Sequence, residues 1–226
     1  MATQKVDTLL TDTCSVYKLY FFINKGIISS ENIIIPNLGI LEFHPVVFKE
    51  FEDDMEAYHL FKNLSPKPKR KCYPSFFDDL GEQVFPKIEK FIKANITKLT
   101  TSSSSDPDFL IQKKIYDDYR VSIQEEWRAQ NRFQGSQKAV SEPSDEDYLI
   151  VYDALKNKVE VVTNDEILLE VSNHFLNQQL NKAAYMAEHV IKAVYDSNNS
   201  LRKDIEECAQ NLGYLQEKFQ LGLVLK

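Results

Sequence analysis

Carboxylates are the commonest groups in this chain that could do chemistry, 34 Asp and Glu among 226 residues. Adjacent pairs stand at Asp53-Asp54, Asp78-Asp79 and Asp117-Asp118. Phosphoryl chemistry on metal ions needs carboxylates that converge from different elements, whereas neighbours in sequence point to different faces. These pairs therefore read as solvated charges or helix caps. His44, His59, His174 and His189 never fall at the spacing of two ligands on one helix face. Cys14, Cys72 and Cys208 are too scattered for a zinc motif or a disulfide framework. No serine occupies a nucleophile elbow, and no glycine-rich phosphate loop is present. The expectation is a protein without catalytic, metal-binding or cofactor-binding residues and without a small-molecule substrate.

Cations have one cluster. Lys67, Lys69, Arg70 and Lys71 lie in a proline-containing stretch and have the form of a short basic nuclear import signal. The bland alternative is a solvated loop that offsets Glu50, Glu52, Asp53 and Asp54. A formal net charge of −7 opposes association with phosphate backbones, so nucleic acid is not the expected partner. The absence of a leader-like segment, of a membrane-length apolar run and of paired cysteines points to an intracellular protein, cytoplasmic or nuclear, not secreted.

The elements that must position these residues read as α+β and predominantly helical. From Val6 to Phe21 the apolar spacing suggests a helix, closed by Gly26 in the left-handed region. Residues 27–51 then carry short β-branched and aromatic runs around Pro36-Asn37-Leu38-Gly39, the chemistry of an antiparallel hairpin. Helices are expected from Phe85-Pro86 and from Asp106-Pro107. A second hairpin is expected over 148–162, followed by a capping box at Thr163 and Glu166. The domain reading is 1–133, a linker at 134–147, and 148–226.

The C-terminal third carries the strongest pattern. Alternate steps of four and three residues from Leu180 reach Ile191, Val194, Asn198, Leu201, Ile205, Leu212, Leu215 and Phe219, in register throughout. A seven-residue repeat keeps one seam facing a partner, and an Asn in that seam can set register. The alternative is two consecutive helices broken at Asp196-Ser-Asn-Asn-Ser200. In either case an apolar face needs covering, which argues for a protein partner in a homo- or hetero-oligomer.

Two short stretches resemble known families. Asp147-Tyr-Leu-Ile-Val-Tyr-Asp153 with Thr163-Asn-Asp-Glu166 resembles the late metal-binding stretch of metal-dependent phosphatases, with Ala154 in place of that family's glycine. The resemblance implies phosphatase-like chemistry at Asp153. Ile33 to Phe43 is similar to the strand turn of HU-like domains, which implies a strand, turn and strand there. The leading expectation is a non-enzymatic scaffold or complex subunit that associates through C-terminal helices. The alternatives are a degenerate or metal-dependent phosphatase-like enzyme and a nuclear adaptor.

Overall fold

The computed structural model describes residues 7–28, 34–64, 82–130 and 143–208. The fold is α+β and mostly helical, around one mixed five-stranded sheet. In chain order the elements are β1 (Thr8–Thr11), α1 (Thr13–Asn24), β2 (Ile34–Ile35), β3 (Gly39–Phe43), α2 (Pro45–Phe61), α3 (Phe85–Ala94), α4 (Pro107–Ala129), α5 (Asp145–Asn157), β4 (Glu160–Val162), α6 (Glu166–Leu180), β5 (Ala184–Tyr185) and α7 (Ala187–Ser197).

The sheet order is β2-β3-β1-β4-β5. Strands β3, β1, β4 and β5 run parallel, and only the edge strand β2 is antiparallel. Thr11 lies opposite both Phe43 and Val162, and Val162 opposite Tyr185, so the four parallel strands end on one edge. From β1 the chain moves to β3 on one side, then returns to β4 on the other. Right-handed crossovers therefore put α1 and α6 on opposite faces of the sheet. Their contacts agree, since α1 packs on α2 and α7 while α6 packs on α5 and α4.

Strand β1 replaces the helix expected from Val6. It is the central strand, covered on both faces, and Leu9 and Leu10 are both fully buried. A strand in that position reads as a continuous apolar run, without the alternation that marks a half-exposed one. The hairpin expected within 27–51 is present as β2 and β3, joined through Asn37 at φ 64. Val46 to Phe51, expected to be extended, is helical. Pro45 opens that helix, and the His44 ring accepts from the Val46 amide as its N-cap.

No hairpin spans 148–162. Tyr148 to Tyr152 belongs to α5, whose start is set by a reciprocal capping box between Ser144 and Asp147. Its four successive buried residues, Tyr148 to Val151, look like strand in sequence. In the fold they arise because α5 is clasped between the sheet, α4 and α6. At its C-terminus Lys158 takes the left-handed conformation (φ 58), and only then does β4 begin. Strands from either side of the expected linker thus share one sheet.

Gly39 is where the sheet tolerates no side chain. A Cβ there would overlap the Asp7 carbonyl oxygen, which accepts the Ile40 amide at 2.8 Å. Gly39→Ala should therefore push β3 away from β1 and cost about 1–3 kcal/mol. The check is the denaturant midpoint, which should fall with an unchanged slope.

Candidate functional site: an acidic edge at the carboxyl ends of the strands

The strand ends place particular residues side by side. Immediately after β1 comes Asp12, after β3 His44, and after β4 the triplet Thr163-Asn164-Asp165. In open parallel sheets, ligands bind outside the carboxyl ends where the strand order reverses. Here that point lies between β1 and β4.

Asp12 is 1% exposed. Its Oδ1 accepts from the Ser15 amide at 2.8 Å, which caps the first turn of α1. Its Oδ2 accepts from the Thr163 hydroxyl, which ties β1 to the loop after β4. Thr163 also accepts from the Asp165 amide at 3.0 Å. Asp165 is the N-cap of α6, where its side chain accepts from the Leu168 amide at 2.8 Å. The capping box expected of Thr163 and Glu166 is not formed: the N-cap is Asp165, and Thr163 donates its hydroxyl to Asp12 instead. Asn164 accepts from the Ala187 amide at 3.2 Å and so fixes the start of α7.

From the opposite side α2 contributes Glu50, which accepts from the Thr13 hydroxyl. One turn further on, Asp54 accepts from the Tyr17 hydroxyl at 2.7 Å. The first turn of α5 contributes Asp147, whose Oδ2 accepts from the Ser144 amide at 2.7 Å. Four elements thus deliver carboxylates to one edge: Asp12, Glu50, Asp147 and Asp165.

The electrostatics show how closely they gather. Burial pushes the Asp12 carboxyl up from 3.8 to about 7, against its bonds from Thr163 and Ser15, and Asp147 pushes it further. Glu50 is pushed to about 8, by burial and then by Asp147, Asp12 and Glu146. Asp147 is raised by burial, with Asp165 and Glu146 adding to it. Cys14 stands among them. Its thiol is held well above its ordinary pKa by desolvation, then by the fields of Asp12, Asp147, Asp165 and Glu50. Lys18 is buried too, yet the acid that acts on it is Glu188 of α7.

Do these residues fit a divalent cation? The donors are all oxygens, which suits magnesium or manganese. The Ser15 hydroxyl is buried beside Asp12 and acts on its carboxyl. Among the described residues, however, no three His, Cys, Asp or Glu side chains close around a point where they would grip one ion together. Magnesium does not need such a cage: it keeps several waters and is held by one or two carboxylates together with substrate phosphate. The edge fits a cation held in that way and not one enclosed by protein.

Asp153 is not part of this edge. It is fully buried, and its Oδ2 accepts from His44 Nε2 and from the Ser102 amide, both at 2.8 Å. It is a lock between α2, α5 and the 100–105 loop, out of reach of a substrate.

The expected partner-binding residues fall elsewhere. Ile191 (1% exposed), Val194 (6%) and Ile205 (0%) are buried in this chain's own core. Leu201 is half-buried against the same core. The helix does not run through Asn198, which is extended (φ −135, ψ 93) and accepts from the Ser200 amide at 3.2 Å as a cap. The continuous coiled coil gives way to two helices with a break at the polar stretch. Leu212, Leu215 and Phe219, the import-signal candidates Lys67, Lys69, Arg70 and Lys71, and Cys72 lie outside the described residues.

Compared with protein-family models, with curated proteins and with solved structures, the chain matches none. No helix among the described residues is long and apolar enough to cross a membrane.

Proposed function

We propose that this protein is a divalent-cation-dependent phosphodiesterase working at the acidic edge. The observation that carries the reading is the convergence of Asp12, Glu50, Asp147 and Asp165 from four elements. Carboxylates gathered in a desolvated place repel one another and destabilise the fold. An arrangement that costs stability at a topological switch point is the signature of a functional site.

A bound magnesium or manganese ion would supply charge neutralisation at the phosphate and activation of water. The chain's own residues do the rest. Asp12 is held rigidly by Ser15 and Thr163, so its carboxylate is pre-oriented where a cation would rest on it. Asp165 and Asp147 sit in the first turns of α6 and α5, each fixed by a capping bond. Glu50, kept protonated near neutral pH by burial, is placed to exchange a proton with water or with the leaving oxygen. Water adds its oxygen to phosphorus, one ester P–O bond breaks, and the departing alcohol carries away a proton. The net charge of −7 opposes a phosphate backbone, so a strand of nucleic acid could be engaged only where the bound cation screens the edge.

The test uses protein stripped with chelator, then supplied with magnesium or manganese and offered labelled single-stranded RNA, single-stranded DNA and p-nitrophenyl phosphate. Cation-dependent cleavage of a strand is expected, and it should disappear in Asp165→Asn. Turnover of p-nitrophenyl phosphate alone would favour a phosphatase-like enzyme. No turnover of any substrate, or cleavage unchanged in Asp165→Asn, would contradict the reading.

A further inference from the structure

In a chain of 27 Lys and Arg against 34 Asp and Glu, residues 86–98 reverse the sign, with four lysines and one acid. The acid, Glu89, is paired with Lys93 at 2.6 Å, and the Lys93 ammonium lies 4.7 Å from the centre of the Phe48 ring. Lys87, Lys90 and Lys98 are exposed and enter none of the ion pairs among the described residues. Lys87 and Lys90 belong to the outward side of α3, whose inner side is Phe85, Ile88, Phe91 and Ile92. A shallow groove of about 500 Å³ follows that outward side, lined by Pro86, Glu89, Lys90, Lys93 and Ala94.

The sheet fixes where this line of lysines begins. Just past α3, Ile96 bridges to Phe43 in parallel, with the Phe43 amide donating to Asn95 and the Thr97 amide to Phe43. Ile40 donates its amide to Asp7, toward β1, so Phe43, an odd number of residues on, turns its amide and carbonyl the other way. Ile96 therefore adds a position to the row of strand ends, which runs Ile96, Phe43, Thr11, Val162, Tyr185. At about 4.8 Å per position, the chain at Ile96 lies about 10 Å from Thr11, and Lys98 comes to the same edge as Asp12. Lys90 and Lys87 are offset along α3 by about 4.5 Å.

The chemistry of this side selects its partner. None of the large exposed apolar residues among those described lies within 85–98, so the face has nothing to insert into a bilayer. Lysine is depleted at the core of protein interfaces. An extended polyanion needs only successive cations along its backbone. We infer that the phosphate backbone of a single nucleic-acid strand leaves the acidic edge past Lys98 and runs along α3 over Lys90 and Lys87. The inference rests on the hydrolytic reading for its starting point. It also meets the net charge: the bound cation holds the strand at the edge, and these lysines hold it beyond.

Fluorescence anisotropy of short labelled strands, RNA and DNA in separate arms, titrated with the full chain in chelator, tests the path without turnover. Both strands should bind, since the lysines read phosphate alone, and affinity should fall with salt at a log–log slope of about −2 for three lysine contacts. Lys87→Gln/Lys90→Gln/Lys98→Gln should raise the Kd about tenfold or more at low salt and flatten that slope, with an unchanged circular dichroism spectrum. Lys114→Gln/Lys158→Gln/Lys203→Gln removes the same charge from other exposed positions and should leave the slope as it was. No binding of either strand, an equal loss in both triple variants, or binding only to vesicles of anionic phospholipid overturns the inference. Strand binding that depends on Lys87, Lys90 and Lys98, with no cleavage once magnesium or manganese is restored, would sink the hydrolytic reading and leave the path standing. Cleavage at the wild-type rate by the Lys87/Lys90/Lys98 variant under limiting strand would do the reverse.

Discussion

Asp12→Asn is expected to abolish cation-dependent hydrolysis, by roughly a thousandfold or more, while leaving the fold intact. The amide is isosteric and retains an oxygen for the Ser15 amide, so the start of α1 survives. What it loses is the negative charge that a cation would rest on. The same variant should be at least as stable as the wild type without divalent cations, because it removes a buried, repelled carboxylate. Loss of activity combined with a gain in stability separates a functional acid from a structural one.

The pH dependence follows with a definite sign. The unfolded chain releases the Asp12 proton near 3.8, whereas the folded chain holds it to about 7. Between those values the native state binds more protons, so stability falls as pH rises. Glu50, raised to about 8, and Asp54, raised to about 6 mainly by burial, act in the same direction. Without divalent cations, stability should therefore decline from about pH 4 to about pH 8, by on the order of a few kcal/mol in total. Adding magnesium or manganese at pH 8 should recover part of the loss, because a ligand that binds only the native state stabilises it. Thermal melts at a series of pH values, with and without cation, would show both trends.

Asp153→Ala is expected to destabilise the fold by about 3–5 kcal/mol. Asp153 and His44 are both 1% exposed at the side chain and lie 2.8 Å apart. His44 Nδ1 accepts from the Val46 amide at 3.3 Å, which leaves Nε2 to carry the proton toward Asp153. Truncating Asp153 strands that buried donor and removes the acceptor of the part-buried Ser102 amide. His44→Ala should cost less, because Asp153 keeps the Ser102 bond. Urea unfolding of both variants orders them. A cost below about 1 kcal/mol for Asp153→Ala, the level of an exposed pair, would contradict the lock.

Local backbone chemistry was legible in the sequence where a single residue type decides the outcome. Gly26 does take a positive φ of 72. Asp106 caps α4 and Pro107 opens it, and Phe85-Pro86 opens α3. The turn at Pro36 to Gly39 closes a hairpin. Apolar runs buried on both sides misled in both directions. Leu9-Leu10 is a central strand read as helix, and Tyr148 to Val151 is a clasped helix read as strand, because such runs lose the period that separates the two.

The site was hidden for the same reason. With β1 read as helix, Asp12 becomes one more polar residue on a helix surface, and its place at a strand end is lost. With 148–162 read as a hairpin, Asp147 sits at a linker end, far from Asp12. A signal was nonetheless present. Thr8-Leu-Leu-Thr-Asp12 and Glu160-Val-Val-Thr-Asn-Asp165 are both short apolar runs ending in Thr and then Asp, one residue apart in the second case. That is what two adjacent parallel strands delivering acids to a shared edge look like. Glu50 carries no such mark, because it sits in mid-helix and is placed only by the packing of α2 on α1.

The central claim is that Asp12 and Asp165 hold a divalent cation at the acidic edge, and calorimetric titration of manganese into chelator-stripped protein tests it most directly. The account predicts saturable binding in the wild type that is lost in both Asp12→Asn and Asp165→Asn, and retained in Asp117→Asn, which alters an acid away from the edge. Absence of binding up to millimolar manganese, or equal binding by the wild type and the two edge variants, would contradict it.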